Sequence, residues 1–132
     1  MKAMKTCPNV GLFLIRLAVA MVFLYAGINK LMAGGEAGGA MFASMGITMA
    51  PAFWFWVVAL VETLGGAAIL LGLWTSIAGY LLAFIMLVAI LLVHWSAGFG
   101  GPMGVQYPLV MLLASLGVAM LEPGTWSVGK KK

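Results

Sequence analysis

Charge is what this sequence has least of. Seven Lys or Arg and three Glu carry all the formal charge in 132 residues, and aspartate does not occur. An ordinary soluble domain is about a quarter charged, against 8% here, so a soluble enzyme is excluded. A disordered tail is excluded as well, because it needs low hydrophobicity. One cysteine, Cys7, rules out intramolecular disulfides, CxxC redox chemistry and a Cys-rich metal site. One histidine, His94, rules out a haem held by two histidines of this chain, and a four-residue zinc site fails for the same shortage. A Ser-His-Asp set is impossible without aspartate, and no glycine-rich loop of the P-loop form precedes a lysine. Hydrolase and NTPase chemistry therefore have no support.

What the chain does have is apolar surface. It is 64% hydrophobic with a mean hydropathy of +1.15, the composition of an integral membrane protein. The net charge of +4 does not point to nucleic acid, because its positions form no stripe that could follow a phosphate backbone. Lys2 and Lys5 open the chain and Lys130, Lys131 and Lys132 close it. Positive charge flanking the outermost apolar segments predicts both termini in the cytoplasm beside anionic lipid, and hence an even number of spans. Cys7 is then expected to be cytoplasmic and reduced. A cleaved signal peptide is rejected for the N-terminus: Arg16 would sit beside the A-x-A match at Ala18–Ala20, leaving an apolar core from Val10 to Ile15 that is too short.

A bilayer core of about 30 Å needs roughly 20 apolar residues per helix. Four segments qualify: about 10–32, 52–73, 76–95 and 106–122. The expected fold is all-α, an integral membrane four-helix bundle, N-in and C-in, forming a single domain over 1–132. Helices two and three are joined by little more than Trp74, Thr75 and Ser76, which predicts an antiparallel pair acting as the rigid core. Pro108 suits a first helical turn, and Glu122, Pro123 and Gly124 supply a stop. Small residues such as Gly65, Gly66, Gly79, Ala83, Ser115 and Ala119 are the expected packing positions. No internal repeat supports an inverted-repeat transporter.

Between the first two spans lies AGGEAGGAMFASMGITMAPA, read as a glycine turn followed by a short interfacial helix. Met41, Met45 and Met49 recur there every four residues. Three thioethers at this spacing could hold Cu(I), but flexible thioethers filling an apolar surface are the commoner use, and no metal site is assigned.

An ionisable group in hydrocarbon costs about 2.5–3.5 kcal/mol on insertion scales, which makes each one a candidate functional residue. At 100° per residue, Arg16, Phe23, Gly27 and Lys30 share one stripe of the first helix. Glu62 lies near the middle of the second, with Gly66 and Ile69 on its face and Gly65 at the edge. At 1.5 Å per residue, Glu62 falls between the depths of the two cations, and either could pair with it. His94 and Asn29 are expected level with Lys30, although Asn29 and Tyr25 share a different face. Arg16, Asn29, Lys30, Glu62 and His94 form the candidate polar cluster. The plain alternative is a buried ion pair fixing helix register, with Lys30 and His94 reaching to the interface; the sharper reading is a proton or ligand site.

The run RLAVAMVFLYAGINKL, then ETLGGAAILLGLWT, then a third helix ending at His94, resembles the DoxX family of small bacterial four-helix membrane proteins. The resemblance runs from about Arg16 to Glu122. The family's helix-one Arg, Gly and Lys match Arg16, Gly27 and Lys30, and its helix-two Glu and glycines match Glu62, Gly66 and Gly72, followed by Thr75. The resemblance implies a four-helix bundle in the bacterial inner membrane, and the family takes its name from a subunit of a thiosulfate:quinone oxidoreductase. Nothing in the chain holds an electron-carrying cofactor, so a redox role requires a bound quinone, a partner subunit or a homo-oligomer. The expected function is an accessory or quinone-interacting subunit of a membrane redox system, not catalytic alone. The alternatives are a stand-alone membrane binding or transport protein using a buried carboxylate, and a structural or assembly factor.

Overall fold

The structure, a computed structural model, describes residues 6–128. The terminal lysines behind the orientation argument, Lys2, Lys5, Lys130, Lys131 and Lys132, lie outside the described residues. The fold is all-α, with five α-helices: α1 Pro8–Ala33, α2 Gly35–Ser44, α3 Pro51–Leu71, α4 Thr75–Ala89 and α5 Gln106–Met120. A π-helical turn, Ile90–His94, and a 3₁₀ turn, Trp95–Ala97, extend α4. Proline occupies the first turn of α1 and α3, where its missing N–H would have no helical partner anyway.

Three helices are long and apolar enough to cross a membrane: α1, α3, and α4 with its two terminal turns, Thr75–Ala97. The expected fourth span is shorter. Helix α5 covers 15 residues and stops when Leu121 turns extended, so it rises about 22 Å at 1.5 Å per residue. The expected continuous third helix also changes character, since its last turns widen and then tighten.

The segment before α3 needs two corrections. The glycine turn shrinks to Gly34, whose φ of 89° links α1 directly to α2. Helix α2 ends at Ser44, so Met49 leaves the four-residue methionine stripe and is 83% exposed. Nor is the α3–α4 hairpin the main packing unit. The most extensive contacts join α1 to α3 and α4 to α5, because those pairs carry the small residues that let backbones approach.

A Cβ on Gly27 would strike Thr63 and come within 3.1 Å of the Ala59 carbonyl, and one on Gly66 would meet Leu24 at 3.0 Å. On the other pair, a Cβ on Gly79 would lie 2.7 Å from Ala119 Cβ. Ser76 Oγ donates to the Ala119 carbonyl at 2.7 Å. The buried core these contacts enclose is small and runs through Val19, Ala20, Phe23, Ile69, Ala78, Leu82, Met111 and Val118. Large side chains such as Leu14, Met21, Leu64 and Leu113 are exposed, as suits a chain whose solvent is lipid.

Gly27→Ala is expected to destabilise the fold by about 1–3 kcal/mol, read as a lower unfolding temperature in detergent. Unchanged unfolding would mean that α1 and α3 do not depend on this close approach.

Candidate functional site

The two cations of α1 lie on one stripe but serve different ends of α3. Arg16, 1% exposed, meets the C-terminus of α3, where helix geometry leaves the last four carbonyls without intrahelical partners. Gly72, at φ 79°, turns the chain so that its own N–H and that of Leu73 both reach the Ala68 carbonyl. Arg16 Nε donates to the Ile69 carbonyl at 2.9 Å and Nη2 to the Leu70 carbonyl at 2.7 Å. The Leu71 carbonyl accepts from the Val128 N–H at 2.7 Å. Every terminal carbonyl of α3 thus has a donor, which matters most where no water is available.

The other arm of Arg16 holds the chain's last described segment. Nη1 donates to the carbonyls of Pro123, at 3.0 Å, and Trp126, at 2.9 Å. The Trp126 ring packs on Phe13 with centroids 5.1 Å apart, and Asn9 Oδ1 accepts from the Thr125 N–H at 3.1 Å. Arg16 pairs with no carboxylate among the described residues. It caps α3 with positive charge, which the helix dipole favours, and clasps residues 123–128 to the bundle. A Cβ on Gly72 would meet Ser127 and approach Arg16 Nη2 to 2.8 Å, so glycine is needed there for space as well as for φ.

Lys30 is the partner of Glu62. Its Nζ donates to Glu62 Oε1 at 2.8 Å, and the Glu62 side chain is 3% exposed while that of Lys30 is 22% exposed. The close approach at Gly27 places Lys30, one turn further on, beside the middle of α3. A carboxylate at that depth is tolerable because it is paired. Lys30 lies about 21 Å along α1 from Arg16 at 1.5 Å per residue, so Glu62 is served by one cation rather than bracketed by two.

A cavity of about 540 Å³ opens beside this pair. Its walls come from α3 (Trp54, Val58, Glu62) and from α4 and its π turn (Phe84, Leu92, Val93), and α2 contributes Met41 and Phe42, with Met45 just past its C-terminus. The lining is mostly apolar, and its ionisable residues are Lys30, Glu62 and His94. The π turn, a feature common at functional sites, brings Leu92, Val93 and His94 to the same wall, and His94 Nδ1 lies 2.7 Å from the Met103 carbonyl. Helix α2 is seated by the edge-on contact of Phe42 with Phe55, centroids 5.5 Å apart, and by Gly38 lying against the Phe55 ring.

Of the five residues singled out from the sequence, Lys30, Glu62 and His94 come together on this cavity. Arg16 stands apart at the far end of α3, and Asn29 is exposed on another face of α1. Sequence reasoning missed the apolar walls, since Trp54, Val58 and Phe84 are indistinguishable there from lipid-facing residues. It also missed Tyr107, on the first turn of α5, which lies within electrostatic reach of Glu62. Among the described residues no cluster of His, Cys, Asp or Glu could hold a metal ion.

Long apolar helices, with a paired carboxylate at the middle of one of them beside a mostly apolar cavity, define a multi-pass membrane protein. The chain belongs to the DoxX family, whose profile matches residues 11–95. It is 32% identical over 112 residues to CatD of Bacillus subtilis (strain 168), a protein provisionally named an oxidoreductase, with 85% of this chain and 79% of CatD covered. It is 34% identical over 128 residues to the uncharacterized membrane protein Rv3486 of Mycobacterium tuberculosis (strain ATCC 25618 / H37Rv), covering 89% and 78%. No solved structure matches the chain significantly.

Proposed function

We propose that this protein is an accessory, quinone-interacting subunit of a membrane redox system, with no electron-carrying cofactor of its own. The observation that carries the reading is the cavity: an apolar volume of about 540 Å³ whose ionisable lining is Lys30, Glu62 and His94. A quinone needs such a setting, an apolar wall for its ring and tail and a few placed polar groups for its oxygens. The oxidoreductase name of CatD supports the redox setting.

In this reading α1, α3, extended α4 and α5 form a four-helix bundle in a bacterial inner membrane, N-in and C-in, and 1–132 is one domain. Helix α2 lies at the outer interface, and the cavity opens toward the outer half of the bilayer. A partner subunit, or a second copy of the chain, supplies the redox centre. The charge of Lys30 is already balanced by Glu62, which disfavours an anionic headgroup as the resident ligand.

Purification from native membranes in mild detergent, with mass spectrometry of proteins and extracted small molecules, tests this. Wild-type protein is expected to carry quinone or a redox partner, and Glu62→Gln to carry about tenfold less quinone. The variant should still fold, because the amide oxygen it introduces can still accept from Lys30 Nζ, and the Lys30 side chain is 22% exposed. A solitary bundle holding only lipid would reject the reading.

A further inference from the structure

The hydrogen bond at His94 decides which form of a ligand the cavity prefers. His94 Nδ1 lies 2.7 Å from the Met103 carbonyl oxygen, and a carbonyl has no proton to give. The proton therefore sits on Nδ1, and the imidazole donates. In the neutral ring the remaining nitrogen, Nε2, carries a lone pair and only accepts. No described residue donates to Nε2, so it is the polar atom His94 has left for the cavity it lines.

The carboxylate adds a second acceptor. Glu62 Oε1 accepts a hydrogen bond from Lys30 Nζ, and Oε2 accepts from no described residue. Among the described residues the fully buried side-chain polar atom without a partner is Ser115 Oγ, at the α4–α5 contact. Glu62 Oε2 is therefore not wholly sealed off, and Glu62 lines the cavity. The ionisable side chains of the lining thus offer two acceptors, Nε2 and Oε2, and one ammonium group whose charge is balanced.

We infer that the cavity selects the hydroxyl-bearing, reduced form of a quinone-type ligand, and that His94 Nε2 is the acceptor that makes the selection. This rests on the proposed quinone site and deepens it. A quinone brings only acceptor oxygens: one carbonyl can accept a hydrogen bond from Lys30, but another placed against Nε2 sets lone pair against lone pair. A hydroquinone hydroxyl donates to Nε2 and still accepts from Lys30. A site whose polar atoms complement a hydroxyl discriminates against analogues that lack it, because its own groups are left unpaired. The selection needs no electron transfer, only the fixed tautomer. The backbone fixes it: Val105 N–H to the Gly98 carbonyl at 2.9 Å and Gln106 N–H to the Phe99 carbonyl at 3.0 Å close the loop that carries Met103.

The test is equilibrium binding to the purified protein in mild detergent at about pH 8, where a free imidazole is neutral. Three probes share a decyl tail: a para-benzoquinol kept reduced under anaerobic conditions, the matching quinone, and the dimethyl ether of the quinol. Wild-type protein is expected to bind the quinol about tenfold more tightly than the quinone or the ether. His94→Phe should abolish the preference by weakening quinol binding about tenfold. His94→Gln, whose amide both donates and accepts, should retain it.

Equal wild-type affinity for quinol and quinone would overturn the selection while leaving the quinone reading in place. So would a preference that survives His94→Phe. Absence of saturable binding by all three probes would overturn the quinone reading itself. If His94→Phe does not fold, the three-probe comparison on the wild-type protein decides.

Discussion

Arg16→Met is expected to lower stability by about 3–5 kcal/mol, with hydrogen exchange quickening first at Thr125 and Val128. The side chain is almost fully buried and donates to four carbonyls from two segments: Ile69 and Leu70 at the end of α3, Pro123 and Trp126 after α5. Methionine fills similar space but donates nothing. Each carbonyl left without a donor costs about 1–3 kcal/mol where water cannot replace it, and the Ile69 carbonyl keeps partial compensation from the Gly72 N–H at 3.2 Å. Once the clasp is lost, the N–H groups of Thr125 and Val128, held by Asn9 Oδ1 and the Leu71 carbonyl, should exchange faster than those of the α1–α3 contact. Arg16→Lys should recover only part of the loss, since an ammonium has three donors and no fork. Thermal unfolding in detergent together with residue-level exchange checks this; unaltered exchange at Thr125 and Val128 would show that Arg16 is not the clasp.

Lys30→Met should be comparably severe for the opposite reason. It strands Glu62 as a buried, unpaired carboxylate, and removing one partner of a buried pair costs about 3–5 kcal/mol. The double variant Lys30→Met with Glu62→Gln removes both charges and should return to within about 1 kcal/mol of the wild type, because the desolvation cost disappears with them. A double-mutant cycle by thermal or denaturant unfolding reads the coupling directly. Additive losses would mean that the 2.8 Å contact contributes nothing. The same double variant separates stability from function: it should fold well and bind quinone poorly, whereas a pair serving only to fix register would leave binding unchanged.

Helix content, approximate boundaries and buried faces were legible in the sequence because each depends on local spacing. The stripe through Phe23 and Gly27 and the face through Glu62, Gly66 and Ile69 are buried as helical periodicity implies. The end of α4 was not legible. Nothing in SIAGYLLAFIMLVAILLVHW marks a π turn, which arises when tertiary packing selects the wider backbone bond pattern. The reach of α2 was misread for a related reason: Met45 and Met49 continue a helical spacing, but the chain turns at Gly46, where φ is 101°.

Composition alone determined that this is a membrane protein whose one histidine and one cysteine cannot supply bis-histidine haem or Cys-rich metal ligation, since those conclusions need only counts. Spacing determined which residues share a helical face. Pairing was decided by the tertiary structure, because Arg16 and Lys30 are chemically equal candidates for Glu62 until the register of α1 against α3 is known. That register comes from close contacts at Gly27 and Gly66, and it delivers Lys30 to the carboxylate and Arg16 to the open carbonyls of the helix end. The cavity is likewise a product of packing, an apolar space between helices whose lining residues have the same hydropathy as those that face lipid.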